Sequence, residues 1–490
     1  MSPNMARSPG AATWPAGLAV ALTLAAVVGA QLAPALFFAA GVLLLGMLAY
    51  LSWHWPRAML VLLILAPLLD RFLISLGIPA GLRPATTYAS EALLLVVGVA
   101  VTVAAARSRQ LIPALRHPVV AGLCAFAVIG AASAVLNGVP PAVAVAGLVF
   151  TLDAAVLFVL PRLVPFGNRE AAWAVMAFVG AAAAAALLAM GQVLIHPNFL
   201  GLETFAGRFS EGQRVASLLV SPNLLGLLLA MALPFSLLAC LETAGRRRWV
   251  AGGVALLLSL ALLYTFSRGA WLALVLATVV VSVVVERRAI ALLALIGLLT
   301  FAIALVLPRH LADPQRGEER FDLIAATLGR LEALGEGDLR VQFVENATPI
   351  ILDHPLIGAG PGRYGGAVAR TFGSPLYQQY TAGTVPVGRT VDNFWLHLLV
   401  ETGAFGVLAF AGAIAIGVAD ALRAASKSAG LRRALLAGIA AAMTVVAIDS
   451  ITEMVLEGNS TAFAAWFLLG MATSLVGTAA DRAPDAPDAQ

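Results

Sequence analysis

From Trp14 to Leu307 the chain is a succession of apolar segments joined by short loops. The succession stops near residue 310 and resumes only at about residue 392. The apolar runs are about 18–22 residues long, enough to cross roughly 30 Å of hydrocarbon as a helix. An unpaired backbone group in hydrocarbon costs several kcal/mol, so only helices and closed barrels span a membrane. A barrel would alternate apolar and polar residues over about ten positions, and no such alternation is present. The pattern predicts an all-α polytopic membrane protein with one large polar loop.

Composition fits that reading. Hydrophobic residues make up 61% of the chain and charged residues 11%, against about 45–50% and 25% in soluble domains. The net charge of +4 does not point to nucleic acid, because the basic residues sit mostly at loop edges, where membrane orientation explains them. Cys124 and Cys240 lie in apolar segments and read as packing residues, with no disulfide or metal framework. No cleavable signal peptide is expected, since the first apolar segment lacks a small-residue cleavage site and another follows at once.

Spans are expected at about 14–31, 34–53, 57–76, 86–106, 117–136, 142–162, 170–194, 216–240, 248–266, 269–286, 289–307, 392–422, 432–452 and 459–478. That is about 12–14 transmembrane helices, the third being doubtful because Asp70 and Arg71 interrupt it. The organisation is then an N-terminal bundle (1–307), the large loop with short helices (308–391), C-terminal transmembrane helices (392–478) and a disordered tail (479–490). Arg107, Arg109 and Arg116, the Arg246–Arg248 run, Arg287 and Arg288, and the stretch from Arg423 to Arg433 all fall on one side. The positive-inside rule makes that side cytoplasmic, with both termini, and the large loop external, in a periplasm where one exists.

Several polar residues break the pattern on the expected outer side. Arg208, Arg214, Arg268, Arg363, Arg370 and Arg389 sit in loops or at membrane edges, whereas Lys427, the single lysine, is on the other side. A guanidinium fork binds phosphate or carboxylate at two points, so convergent arginines suit a lipid-linked diphosphate; lipid-headgroup anchoring is the plain alternative. Arg268 lies in Tyr264-Thr265-Phe266-Ser267-Arg268-Gly269 between two apolar runs, where a charge is costly unless paired or hydrated. Arg214 leads into Ser221-Pro222-Asn223-Leu224-Leu225-Gly226. There Pro222 is expected to break a helix and free carbonyls for Ser221 and Asn223.

The large loop contains His354-Pro355-Leu356-Ile357-Gly358-Ala359-Gly360-Pro361-Gly362-Arg363-Tyr364. Its glycines and prolines predict a sharp turn whose exposed N–H groups could cradle an anion. The stretch 318–352 before it has a helical pattern, and Tyr364, Tyr377 and Tyr380 suit sugar stacking or an interface. Asp392 opens a helix, either as a simple N-cap or as a carboxylate that takes a proton from an acceptor hydroxyl. Asn393, His397 and Glu401 follow at helical spacing, with Gly403 a predicted bend. Asp449, Glu453 and Glu457 recur one turn apart near the outer end of the penultimate span, and intramembrane carboxylates are functional suspects.

Taken in order, Arg214…Ser221-Pro222-Asn223, Thr265-Phe266-Ser267-Arg268-Gly269, His354-Pro355-Leu356-Ile357-Gly358 and Asp392-Asn393-Phe394-Trp395…Glu401-Thr402-Gly403 resemble the O-antigen ligase/polymerase superfamily of bacterial envelope glycosyltransferases. The resemblance covers about residues 200–410. It implies a glycosyltransferase class C-like fold and an inverting, metal-independent transfer of a glycan from undecaprenyl diphosphate, with no cofactor. By that analogy Arg214 and Arg268 would hold the diphosphate; from the residues themselves Asp392 is expected to be catalytic with them, and Asn393, Arg208, Arg363, Tyr364, Asn223, His397 and Glu401 to bind substrate. Partners would be the undecaprenyl-diphosphate-linked oligosaccharide, membrane lipids, a flippase and a chain-length regulator, with no nucleic acid. The setting would be the bacterial inner membrane.

One departure matters. Ligases of the superfamily typically carry a His where this chain has Asp392, and the Asp-Asn pair looks more like polymerases of exopolysaccharide, O-antigen or capsule. The expected activity is polymerisation of lipid-linked repeat units. The alternatives are a ligase transferring the glycan to lipid A core or protein, and a flippase. A flippase should have charges through the bundle and no large one-sided loop.

Overall fold

The computed structural model describes residues 34–75, 89–202, 204–206, 213–219, 221–307, 339–381, 393–457 and 459–480. In chain order its helices begin with α1 (Pro34–His54), α2 (Pro56–Ser75), α3 (Ala89–Arg107), α4 (Leu111–Leu115), α5 (Pro118–Leu136), α6 (Pro141–Leu152), α7 (Val156–Leu163) and α8 (Asn168–Leu194). A two-stranded antiparallel hairpin follows, β1 (Thr204–Ala206) with β2 (Gln213–Val215). Next come α9 (Pro222–Glu242), α10 (Arg246–Thr265), α11 (Arg268–Val284) and α12 (Arg288–Val306). The large loop contributes α13 (Leu339–Asp353), α14 (Ala367–Phe372) and α15 (Pro375–Thr381), and the chain ends with α16 (Phe394–Ser426), α17 (Gly430–Asp449) and α18 (Asn459–Ala480).

This is an all-α polytopic membrane protein. Among the described residues eight helices are long and apolar enough to cross a membrane, or nine if the bent pair α6–α7 is one span. The expected span at 14–31 lies outside the described residues, and each of the other thirteen falls on helix. The span around Asp70 and Arg71 is one continuous helix, α2. The span expected at 142–162 is instead two helices bent by 51°.

Burial sorts the bundle. Helix α9 is apolar all round, and it is buried nearly end to end between α8, α10, α11 and α17. Helices α10 and α12 bury only one stripe each and leave the rest of their apolar surface outward, which is what a lipid-facing helix shows. The start of α16 is fixed by aromatic contacts: Phe394 packs at a tilt against Phe410, which Trp466 and Phe126 of α5 both meet edge-on, Phe126 at 5.2 Å.

Two polar ends result. At one, Arg433 of α17 lies 3.1 Å from Glu242 at the end of α9 and 3.2 Å from Glu286 just after α11. This end gathers the basic loops. The other end holds the start of α9, the α10–α11 turn, the end of α17 and the start of α16.

Candidate functional site

The site is built on the turn that follows α17. Its first wall is the start of α9. Pro222 begins this helix instead of breaking it: Ser221 is the N-cap, with its Oγ accepting from Leu224 N–H at 3.2 Å. Proline at the first helical position removes an N–H that would have had no intrahelical partner, so no carbonyl is freed. Asn223 is thereby held at the mouth of the bundle. Gly226, one turn on, packs so closely on the α10–α11 turn that an added methyl would lie 2.7 Å from Ser267 Cβ.

Arg214 comes in on β2, opposite Phe205. The chain leaving β2 is pinned to α8, because Ser217 N–H donates to Gln192 Oε1 and Ser217 Oγ–H to Ala185 O. From there Arg214 donates through Nε to Thr265 O at 2.7 Å, and through Nη2 to Asn223 Oδ1 at 2.6 Å. The first bond satisfies a carbonyl at the end of α10, a place where cations are favoured. Asn223 in turn donates to Glu453 Oε1. A cation, an amide and a carboxylate from three separate elements therefore form one chain, each half-buried.

Arg268 is the first residue of α11, reached through a two-residue turn in which Phe266 has a left-handed backbone, φ 50°. Beside it Gly269 allows α11 to abut the end of α17: an added methyl would lie 2.5 Å from Asp449 Oδ1. Asp449 is buried and accepts from Thr452 Oγ–H at 3.1 Å. A carboxylate against a helix N-terminus is favoured by the helix dipole. The start of α16 closes the group, since Phe394 N–H donates to Ser450 O at 2.9 Å and Trp395 Nε1–H to Ala447 O at 2.8 Å. The cap of α16 is Asn393, whose Oδ1 accepts from Leu396 N–H at 2.9 Å. The N-cap role considered for Asp392 thus belongs to the next residue. Asp392 and Arg208 lie outside the described residues.

The glycine-rich loop is put together differently. Helix α16 is interrupted at Gly403 (φ 65°, ψ −170°), and the loop splices into the break. Ala359 and Gly360 N–H donate to Val400 O and Glu401 O at 2.8 and 3.0 Å. Ala404 and Phe405 N–H donate to Pro355 O and Leu356 O, both at 3.0 Å. Ordinary helix breaks inside a membrane need such substitute partners. Gly403 and Gly358 have the left-handed φ the splice requires, and a side chain on either would collide with the opposite backbone.

The loop does cradle an anion, and the anion is the chain's own. Gly362 and Tyr364 N–H donate to the two oxygens of Glu401 at 2.8 and 2.7 Å. Those N–H groups, expected to be exposed, are therefore occupied. His397 Nδ1 contacts Tyr364 O, and its Nε2 lies 2.9 Å from Glu457 Oε1 and 3.6 Å from Glu401 Oε2. Burial alone would raise the Glu457 carboxyl. The neighbouring His397 ring and the hydrogen bonds from His397 and Ala367 N–H outweigh it, holding this carboxyl below the usual range. Tyr364 donates to Phe343 O at 2.9 Å. Arg363 turns back to Ala359 O at 3.1 Å, and burial lowers its pKa against the opposing charges of Tyr380 and Glu401. Tyr364, His397 and Glu401 are 1%, 1% and 2% exposed, so they hold the loop and do not present a surface to a ligand.

The structure joins Arg214, Asn223 and Glu453 by hydrogen bonds, and it sets the chain at Arg268–Gly269 and at Asn393–Phe394 against the Asp449–Glu453 segment. Glu453 and Asp449 were visible in the sequence only as recurring carboxylates. What promotes them is the contact with Asn223 and with the α11 start, to which nothing in local sequence points.

Residues 253–411 match the family model described as O-antigen ligase. That match supports a likeness to the O-antigen ligase/polymerase superfamily. The matched segment takes in Arg268, the glycine-rich loop, Asn393 and the Gly403 break. Arg214 and Asn223 precede it, and Asp449–Glu457 follow it. A likeness to that family points to a glycan-transferring enzyme. No curated protein matches the chain.

Proposed function

We propose that this protein polymerises undecaprenyl-diphosphate-linked oligosaccharide repeat units at the outer face of a bacterial inner membrane, with the large loop periplasmic and both termini cytoplasmic. The observation that carries the reading is the convergence of Arg214, Arg268 and the Asn223–Glu453 pair on the turn that also receives the start of α16. Cations and a carboxylate within one half-buried cluster suit a reaction that expels a diphosphate and takes up a proton.

In that reaction a hydroxyl of the acceptor unit attacks the anomeric carbon of the donor glycan. The new C–O bond forms as the bond to the diphosphate breaks, and the diphosphate leaves with the electron pair. Arg214 and Arg268 stabilise its growing charge, and Asp392, next to the Asn393 cap, takes the hydroxyl proton. Attack opposite the leaving group inverts the anomeric centre, and the arginines supply the positive charge without a metal. A flippase would deliver the lipid-linked unit, and a chain-length regulator would act on the product.

The Asp-Asn pair at 392–393 favours polymerisation; the family's ligase description favours transfer of a finished glycan to lipid A core or protein. The test is glycan chain length in a deletion strain complemented with wild type, Arg268→Ala or Asp392→Ala. Single repeat units on the carrier in the deletion and in both variants, at normal membrane levels, support the reading. Full-length polymer that stays on its carrier makes the protein a ligase, and full rescue by both variants removes these residues from the site.

A further inference from the structure

We propose that Glu457 is a positioning residue, which with His397 and Glu401 clamps the Gly358–Gly366 loop and the Ile451–Glu457 turn to α16, so that the loop sets where Glu453 sits. The inference rests on the reading of the Arg214–Asn223–Glu453 cluster as part of the reaction site.

The argument starts from connectivity. Glu453 and Glu457 are four residues apart on one turn. The first meets Asn223 in the open cluster; the second meets His397 and the loop. Between them Val455 and Leu456 are fully buried, so the intervening chain has no slack into which a displacement of Glu457 could dissipate.

The Glu457 carboxylate touches both bodies it joins. Its Oε1 lies 2.9 Å from His397 Nε2 on α16, and its Oε2 accepts from Ala367 N–H, at the start of α14, at 3.4 Å. Gly366 leaves room for it: an added methyl there would lie 2.9 and 3.0 Å from the two Glu457 oxygens and 3.0 Å from His397 Cε1. The His397 ring faces oxygen on both sides, the Tyr364 carbonyl at Nδ1 and carboxylates at Nε2. The ring therefore sits between the Tyr364 carbonyl and two carboxyl groups, with Nε2 inside ion-pair distance of both Glu457 and Glu401. One imidazole ring thus ties two carboxyl groups, one holding the loop through Gly362 and Tyr364 N–H and the other ending the turn that carries Glu453. A buried charge with its partner removed is strongly destabilising, so the three groups act as a unit.

The test uses the full-length protein in lipid nanodiscs, comparing wild type, Glu457→Gln and Glu457→Asp. Amide hydrogen exchange is followed at Gly362, Tyr364 and Ala367 and across Ile451–Glu457. Turnover of a lipid-linked repeat unit is measured alongside. Loss of a charge-assisted contact should speed exchange about ten- to hundredfold in both segments together in Glu457→Gln. It should lower kcat with KM for the donor unchanged, and Glu457→Asp should restore part of both. Faster exchange at Ala367 alone, with the 451–457 turn and kcat as in wild type, overturns the proposal and leaves Glu457 a local cap. Joint loosening of both segments in a protein whose wild type transfers no glycan upholds the clamp and removes the reaction assigned to the site. If Glu457→Gln does not accumulate, Glu457→Asp, with its charge kept and its reach shortened, gives the same readouts at smaller amplitude.

Discussion

The Arg214–Asn223–Glu453 cluster and the His397–Glu401–Glu457 cluster lie at the same end of the bundle, on two halves of one turn. In the first, every member is half-buried and comes from a different element. In the second, His397 and Glu401 are sealed, and Glu401 is filled on both oxygens by loop N–H groups. Both look alike as charged residues at the edge of apolar helices. They differ in what surrounds them: the sealed cluster should govern stability first and reach turnover only through the position it gives Glu453, whereas the half-open one should govern turnover directly.

The largest effect that distinction predicts is on stability. Glu401→Ala removes the acceptor for two buried N–H groups and one of the two carboxylates beside His397. Breaking a buried pair in this way costs about 3–5 kcal/mol. The expected outcome is a thermal midpoint in nanodiscs lowered well beyond that of any change in the half-open cluster, with loss of function following from it. A Glu401→Ala protein that melts as wild type would make the sealed cluster dispensable and erase the contrast.

The converse should hold for Arg214 and Arg268. Loss of one group that stabilises charge developing in a transition state lowers turnover about 10²–10³-fold. Arg268→Ala should show that drop with its melting little changed. Arg214→Lys keeps the charge but loses the fork that reaches Thr265 O and Asn223 together, so it should fall short of wild-type turnover. Parallel losses of turnover and stability in both variants would assign these arginines to the scaffold as well.

How much of this could be read in the sequence follows the same division. The spans were legible because a membrane demands long apolar helices, and Gly403 was legible as a bend because few residues tolerate its backbone. The motifs around Arg214, Arg268 and Asn393 were also visible, since charge near hydrocarbon is rare. The occupied cradle was hidden: the glycine pattern says that N–H groups will converge but not what they converge on, and Glu401 lies 37 and 39 residues away from the donors. Pro222 was misread because its effect depends on position, disruptive inside a helix and favourable at the first residue. The role of Glu453 was hidden too, because its partner Asn223 is 230 residues distant.

Gly269→Ala probes the seam between site and scaffold at an intermediate size. The added methyl would lie 2.5 Å from Asp449 Oδ1, so α11 or the end of α17 has to move. Overpacking of this kind costs about 1–3 kcal/mol. Because Arg268 is the adjacent residue, turnover should fall by more than the melting shift alone accounts for. Assays at a temperature well below the midpoint of both proteins separate the two, and equal turnover there would show that the site tolerates displacement of the α11 start.

The smallest effect lies at the far end of the bundle, where neither cluster reaches. His117 caps α5, its Nδ1 accepting from Val119 N–H at 3.2 Å, with Asp420 3.7 Å from Nε2. Burial and the Arg162 guanidinium, opposed by Asp420, lower its pKa from 6.5 to about 4. The unfolded chain takes up this proton near 6.5 and the folded protein only near 4, so between those values the unfolded state binds more protons. The contribution of His117 is therefore complete above about pH 6.5 and fades as pH falls towards 4. Asn is a good cap that does not titrate, so His117→Asn should keep the pH 7.5 midpoint close to wild type and flatten its decline between pH 6.5 and 4. Carboxylates elsewhere titrate equally in both proteins, which leaves the difference between the two melting curves as the signal. Coincident curves over that interval would mean that the cap does not depend on a neutral ring, whereas a flattened curve with unchanged glycan output would confine this end of the bundle to stability.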